Sequence, residues 1–379
     1  MKKILMVATQ EMVNDLSDGG KRVTNRNWNL LCDVFGKENV YLVMMTNSEN
    51  IDDKKQIIRY QSYSGIFNRV INIIAGRIFY TRKAEENVLN IIETNDINIV
   101  FLDRTVFGGL ASSIRHKYEN VLIWTFAHNL EVDYFKNKLK KIPILNNVIC
   151  SQIYKSEKNN VQLANRLFCL TERDKKLFLS KYGVDSEVIP TSFPDLYNES
   201  LDVKHNKDSI TSLLFIGSMF GPNYDGIKWF VDNVMPDLEN FSLMIVGKNF
   251  ETKKNELERE NVTVIGTVDD LEEYYYTDSI MVMPIFYGDG QKVKTAEAMM
   301  YGKVIFATDE ALEGYETEGV RGIICCNTKE EFIRNIRAFQ GKDYDVYAAS
   351  VRKVFKQYYS YDGVLERFLP ILSHFAEDV

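Results

Sequence analysis

The residues best suited to chemistry lie between 262 and 314, in the stretch VTVIGTVDDLEEYYYTDSIMVMPIFYGDGQKVKTAEAMMYGKVIFATDEALEG. An apolar run at 280–283 leads through Pro284 into Gly288-Asp289-Gly290, and a helical pattern follows from about Gln291 to Tyr301. Glycines let a backbone approach a ligand closely. A helix start offers unpaired N–H groups and a partial positive charge, which suits a diphosphate. Lys292 and Lys294 would add charge at that point. Glu297 falls about two turns into the helix, where a carboxylate can accept hydrogen bonds from ribose hydroxyls. One Gly-rich strand-to-helix turn is weak evidence by itself. Here Thr267-Val268-Asp269-Asp270-Leu271 precedes it and Glu297-Ala298-Met299 and Gly302-Lys303 follow, so the whole string points to a bound nucleotide.

Such a loop needs strands to carry it. Short apolar, β-rich runs alternate with helical patterns along the chain, the sign of an α/β fold with parallel sheets. The expected strands are 4–8, 40–45, 99–102, 121–124, 166–170 and 187–189, with helical patterns between them, for example at 20–36, 84–94, 107–117 and 172–182. The alternation pauses at 191–209, a polar stretch with few aliphatics that reads as a linker. It restarts with strands at 212–216, 242–246, 262–265, 280–283 and 304–307. Two doubly wound domains in tandem are expected: 1–200, including the start of the linker, and 201–360. Residues 343–375 look helical throughout, and 361–379 would either cross back to the first domain or pack on the second.

Composition narrows the function classes. A chain of 379 residues fits two domains, and 45% hydrophobic with 26% charged residues fits a folded protein. No apolar run approaches the roughly 18–20 residues that span a bilayer. The opening apolar stretch ends at Thr9-Gln10-Glu11, too short for a secretory core, so a cytoplasmic location is expected. Five scattered cysteines without a C-x-x-C read as free thiols. The four histidines lack metal-ligand spacing. The net charge of −7 divides unevenly: 1–200 hold 27 Lys+Arg against 23 Asp+Glu (+4), and 201–379 hold 19 against 30 (−11). The overall sign argues against nucleic-acid binding. The basic half would suit a phosphate-bearing acceptor or anionic headgroups. The basic amphipathic stretches 64–83 and 136–145 have the pattern of peripheral membrane contacts, and equally of core-facing segments with a solvated basic side.

The string Gly-x-Val-x-Asp-Leu (266–271), then Pro284, Gly288-x-Gly290-x-Lys292-x-Lys294, Glu297-Ala298-Met299, Gly302-Lys303, Ala307-Thr308 and Glu313-Gly314 resembles the donor half of retaining GT-B glycosyltransferases of family 4, the "glycosyl transferases group 1" set. Gly217-Ser218-Met219 at a strand end, with Asn223, Asp225 and Gly226 after it, is similar to the opening of that half. Earlier segments resemble the family more loosely: Asp18-Gly19-Gly20, His128-Asn129-Leu130-Glu131, Thr171-Glu172-Arg173-Asp174 and Val188-Ile189-Pro190. The resemblance implies a GT-B fold, two Rossmann-like doubly wound domains facing a cleft. It also implies sugar transfer with retention from a nucleotide-sugar donor, UDP-linked by preference, to a glycan, lipid-linked or protein-linked acceptor in polysaccharide assembly.

By the same resemblance, Glu297 is the second Glu of the family's E-x7-E motif, and Asp289 occupies the place of the first. Asp289 would touch the donor sugar or cap the helix at Gln291. His128, at the C-terminal end of a strand where open sheets bind ligands, would meet the transferred sugar. Gly19 and Gly20 would face the donor phosphates, or simply open a helix capped by Ser17 or Asp18. Val268 would lie near the base, and Gly217, Ser218, Gly288, Gly290, Gln291, Lys292, Val293 and Lys294 around the donor. The family's phosphate-binding Arg at the start of the second domain is absent, and Lys228 is a poor substitute within a helix, which leaves Lys292 or Lys294 to meet the diphosphate. No D-x-D-like metal motif stands in a convincing place, so transfer without metal or other cofactor is expected, the nucleotide sugar being a substrate. The rival readings are a GT-B sugar-nucleotide epimerase, a partner subunit that keeps the fold without chemistry, and, more distantly, a dinucleotide-dependent oxidoreductase. The last lacks a G-x-G-x-x-G after its first strand.

Overall fold

The structure is a computed structural model that describes residues 2–9, 19–46, 57–61, 71–73, 75–138, 143–201, 211–288 and 290–377. Asp289, Ser17, Asp18, residues 64–70 and 74 of the 64–83 stretch and 139–142 of 136–145 lie outside the described residues. The chain forms two compact units, Met1–Ser192 with Leu365–Val379, and Phe193–Val364.

Among the described residues of the first unit, seven strands make one parallel sheet. They are β1 (Ile4–Ala8), β2 (Val40–Thr46), β3 (Ile57–Gln61), β4 (Ile99–Asp103), β5 (Leu122–Phe126), β6 (Arg166–Cys169) and β7 (Glu187–Val188), in the order β3-β2-β1-β4-β5-β6-β7. The continuous apolar runs of β1 and β4 are buried along their whole length, as expected for strands covered by helices on both faces. Among the described residues, helices α1 (Gly19–Phe35), α2 (Arg82–Thr94), α3 (Gly108–Lys117), α4 (Glu131–Lys138), α5 (Pro143–Leu163) and α6 (Glu172–Tyr182) accompany this sheet. The direction of winding reverses between β1 and β4, and such a reversal opens a crevice beyond the strand ends.

In the second unit, β8 (Ser212–Ile216), β9 (Ser242–Val246), β10 (Val262–Gly266), β11 (Ile280–Met283), β12 (Ile305–Ala307) and β13 (Ile323–Cys325) form a six-stranded parallel sheet, order β10-β9-β8-β11-β12-β13. The winding reverses between β8 and β11. Helices α7 (Gly221–Asn233), α8 (Val293–Met300), α9 (Lys329–Phe339) and α10 (Tyr344–Val354) flank it. Exposure alternates along β10, one of the two edge strands.

Three departures from the sequence reading have physical causes. Strands β3 and β13 were not among the expected ones; both are sheet edges, where partial exposure weakens the apolar signal, and β13 is buried only at Ile323. Helix α5 falls between two expected strands, where a helical pattern was read without bounds. It buries Ser156, Glu157 and Asn160, so its apolar stripe is interrupted by polar residues that find partners only in the fold. The terminal helical stretch breaks into α10, a π-helical turn at Phe355–Tyr359 and α11 (Tyr361–Glu377). At that break Ser360 bridges to Phe193. Among the described residues no helix is long and apolar enough to cross a membrane.

One contact sets how closely α7 approaches the loop that leaves β11. A Cβ on Gly226 would lie 1.8 Å from the Pro284 carbonyl oxygen, so only glycine lets the helix sit there. Gly226→Ala is expected to destabilise the protein by about 2–4 kcal/mol, read as a lower urea midpoint at unchanged m-value.

Candidate functional site

The second unit places its candidate residues at the carboxyl ends of the parallel strands. Gly217 follows β8, Val268 follows β10, and the 288–292 loop follows β11, so Gly217 and the loop flank the winding reversal. The backbone there is close-packed. Gly217 N–H donates to Val246 O (3.0 Å) and Gly247 N–H to Gly266 O (2.7 Å). A Cβ on Gly247, at φ +140°, would meet Gly217 O at 1.9 Å. Glycine at the ends of β8 and β9 thus keeps this floor flat and free of side chains.

Helix α8 begins at Val293, two residues later than the sequence reading put it, with Lys292 as N-cap and no side-chain hydrogen bond to the first turn. Gln291 is drawn aside, donating Nε2–H to Gly314 O at 2.6 Å. Lys292 Nζ donates to Gly290 O (2.8 Å) and pairs with Glu310 Oε1 (2.8 Å), while its carbonyl accepts from Tyr315 OH (2.8 Å). Gly288 (φ +144°) and Gly290 (φ +68°) take backbone conformations that side chains disfavour. The loop is therefore held in shape by its own lysine.

Lys294 reaches back under the end of β8. Its ammonium donates to Asn223 Oδ1 on the first turn of α7, lies 5.3 Å from the Phe215 ring centroid, and would be 3.1 Å from a Cβ on Gly217. Asn223 in turn donates Nδ2–H to Ser218 O (2.7 Å), joining helix, strand end and lysine. Burial, and then the charge of Lys292, lower the Lys294 pKa to about 7, against a smaller opposing effect of Glu297. One helical turn on, Glu297 is half-buried and accepts from Tyr275 OH at 3.4 Å. Burial, then the adjacent Glu297 carboxylate, push the Tyr275 phenol well above its ordinary value. Ser218 is exposed and Val268 half-buried against the core.

Gly302-Lys303 has a structural task. Gly302 turns the chain at φ +66° after α8, and the buried Lys303 donates to Thr277 O (2.6 Å) and Ser279 Oγ (3.1 Å). Lys228 pairs with Asp232 one turn along α7 (2.6 Å).

In the first unit Gly19 and Gly20 open α1, and His128 follows β5, 4% exposed. Its Nε2 lies 2.9 Å from Asp103 Oδ1 at the end of β4. Three residues on, Glu131 is fully buried and forms a two-pronged pair with Arg104 (2.7 and 2.6 Å). Glu157 accepts from Glu131 N–H (2.8 Å), Thr105 Oγ1 (2.8 Å) and Tyr182 OH (2.7 Å). Burial nevertheless raises its pKa above the usual carboxylate range.

Residues 211–340 match the family model of glycosyl transferases group 1. That group 1 region contains Gly217, Lys292, Lys294 and Glu297; Gly19, Gly20 and His128 precede it. A protein described as an uncharacterized 44.6 kDa protein in the cps region of Klebsiella pneumoniae is 25% identical over 230 residues, 55% of this chain. The match spans 57% of that relative's length. Among solved structures, sucrose-phosphate synthase (tll1590) from Thermosynechococcus elongatus superposes over 100% of both chains with a TM-score of 0.66 at 14% identity. The apo form of the lipopolysaccharide outer core galactosyltransferase WaaB covers 98% of this chain and 99% of its own, TM-score 0.65, 14% identity. Anabaena Alr3699/HepE in complex with UDP and glucose covers 98% and 100%, TM-score 0.59, 9% identity. The two doubly wound domains are a GT-B fold.

The sequence reading missed Asp103, Thr24, Asn27 and the work of Asn223. A carboxylate closing the buried run Ile99–Asp103 was the available signal for the first, since a charge at the end of a central strand needs partners.

Proposed function

We propose that this protein transfers a sugar, with retention of anomeric configuration, from a nucleotide-sugar donor, UDP-linked by preference, to a glycan, lipid-linked or protein-linked acceptor. The observation that carries the reading is the convergence of Gly217, Lys294 and the uncapped start of α8 at the winding reversal of the second sheet. A flat glycine floor, helix N–H groups and two lysines suit a diphosphate. Glu297, deeper in the same helix, suits the ribose hydroxyls. The match of 211–340 to the group 1 model supports a donor site in this unit, and the UDP complexes of HepE support UDP as the leaving group. The cps-region relative favours surface polysaccharide assembly as the setting.

In this reading α8 and Lys294 stabilise the charge that grows on the leaving diphosphate, and no metal ion is needed for that. His128 contacts the transferred sugar, and Gly19 and Gly20, at the start of α1, approach the donor phosphates. Val268 borders the base. Asp289 is the carboxylate that this reading assigns to the donor sugar.

The test is a thermal-shift panel of UDP-, GDP- and TDP-sugars followed by product analysis. One donor should raise the melting temperature by mass action and yield an acceptor-dependent glycoside of unchanged anomeric configuration. Gly217→Ala would crowd Asn223 Nδ2 (2.9 Å) and Lys294, so it should weaken that shift while the ligand-free protein stays folded. No shift with any nucleotide sugar would defeat the proposal.

A further inference from the structure

Asp103 and His128 leave neighbouring strands at the same level, since Asp103 is paired in register with Phe126, two residues before His128. Both side chains are buried. Asp103 uses both oxygens: Oδ1 accepts from Asn27 Nδ2 (2.6 Å) as well as facing His128 Nε2, and Oδ2 accepts from Thr24 Oγ1 (2.5 Å). Thr24 and Asn27 lie on α1, the helix that leaves β1 across the winding reversal, so the carboxylate is fixed from a third direction. Burial acts to raise its pKa, but His128, Thr24 and Asn27 together hold it below the ordinary value. An ionised carboxylate only accepts, so the hydrogen between the two side chains sits on Nε2. Among the described residues the other ring nitrogen, Nδ1, makes no hydrogen bond, and Phe126 meets the ring edge-on at 5.7 Å between centroids.

The loop that carries His128 is pinned at its far end by the residue that follows β4. Arg104 has φ +134°, a backbone region that is strained for a non-glycine residue. In this conformation it grips Glu131 with two hydrogen bonds. Glu157 holds the same helix start through the Glu131 and Val132 N–H groups (2.8 and 3.3 Å). Two successive residues, Asp103 and Arg104, thus hold both ends of the 128–131 turn. Strain tolerated at such a point marks a place where position matters more than stability.

We infer that Asp103 is a positioning residue that locks His128 in the Nε2–H tautomer, leaving Nδ1 as a fixed acceptor for a substrate hydroxyl. The inference rests on the proposed sugar transfer for the hydroxyl, but the tautomer is a property of the protein alone.

The experiment is nitrogen NMR on the full-length protein labelled at its four histidines, with the His128 signals assigned by their loss in His128→Gln. In its neutral ring form the wild type should show Nε2 protonated and Nδ1 bare. Asp103→Ala should lose that preference and lower kcat by about 10²-fold, the scale of a misplaced acid–base group, with little change in the donor KM. Asp103→Asn should keep the tautomer, because the Asn27 amide holds the new carbonyl oxygen on the Oδ1 side and Thr24 can turn its hydroxyl to accept. Its kcat should recover most of the loss. A protonated Nδ1 in the wild type, or an unchanged tautomer in Asp103→Ala, would overturn the inference. So would an Asp103→Asn protein that keeps the tautomer yet is as slow as Asp103→Ala, since charge rather than placement would then be what matters. If instead the tautomer responds as expected but no donor yields product in the wild type, the sugar-transfer reading fails and the positioning stands.

Discussion

Lys294→Met is expected to bind the nucleotide-sugar donor about 10²-fold more weakly than the wild type, and to melt higher without donor. The affinity loss follows from removing a charge-assisted contact to the diphosphate, of order 3 kcal/mol or somewhat less. The stability gain follows from the surroundings of the ammonium. It is enclosed by Phe215, Asn223 and the backbone of Gly217, with Lys292 as a like charge, and burial depresses its pKa from 10.5 to about 7. A lysine whose folded pKa lies below its unfolded one is a burden to the fold. The unfolded chain binds more protons between pH 7 and 10.5, so stability rises with pH across that window. Below pH 7 the full cost is present, and methionine removes it. Calorimetric melting of the two proteins at pH 6.5 tests the sign, and equal melting temperatures would contradict it.

The same lysine sets a pH dependence of binding. A dianionic diphosphate favours the protonated ammonium, so donor binding should take up a proton once the free lysine is largely neutral. Donor affinity is then expected to fall as pH rises above about 7, by up to tenfold per unit, and Lys294→Met should abolish that slope. Titration calorimetry in buffers of different ionisation enthalpy measures the proton uptake directly.

Glu297→Ala should lower donor affinity by about 10²-fold, because two hydrogen bonds from ribose hydroxyls to a carboxylate contribute roughly 1.5–3 kcal/mol each before mutual compensation. A 2′-deoxy donor separates this role from a structural one. The wild type should discriminate against it, and Glu297→Ala should bind it and the ribose donor nearly alike. Tyr275→Phe is the control for packing. It deletes only the hydroxyl that meets Glu297 Oε2 at 3.4 Å and keeps the ring stacked on Tyr301 at 4.6 Å. Its affinity should stay within a few-fold of the wild type. A Glu297→Ala protein with undiminished affinity would remove the carboxylate from the donor site.

What could be read in the sequence was whatever leaves a local periodic trace. Runs such as Ile4–Ala8 and Ile280–Met283 are apolar throughout because both sheet faces are covered, and they fell where the structure has strands. The loop at 288–292 declared itself through glycines required by positive φ. Edge strands such as β13 left no such trace and the polar-lined α5 left no bounds, since their burial depends on what the rest of the chain supplies.

The candidate site divides in the same way. Sequence alone determined that a glycine-rich turn would lead past Lys292 into a helix bearing Lys294 and Glu297, because spacing along one helix fixes which side chains share its first turns. Only the tertiary structure decided that Lys292 would be engaged by Glu310 while Lys294 is carried under Gly217 beside Asn223. It alone also joined Asp103 to His128, 25 residues apart. Those pairings depend on strand order: two residues far apart in the chain meet when a parallel sheet sets their strands side by side, and nothing local in the sequence encodes which strands those are.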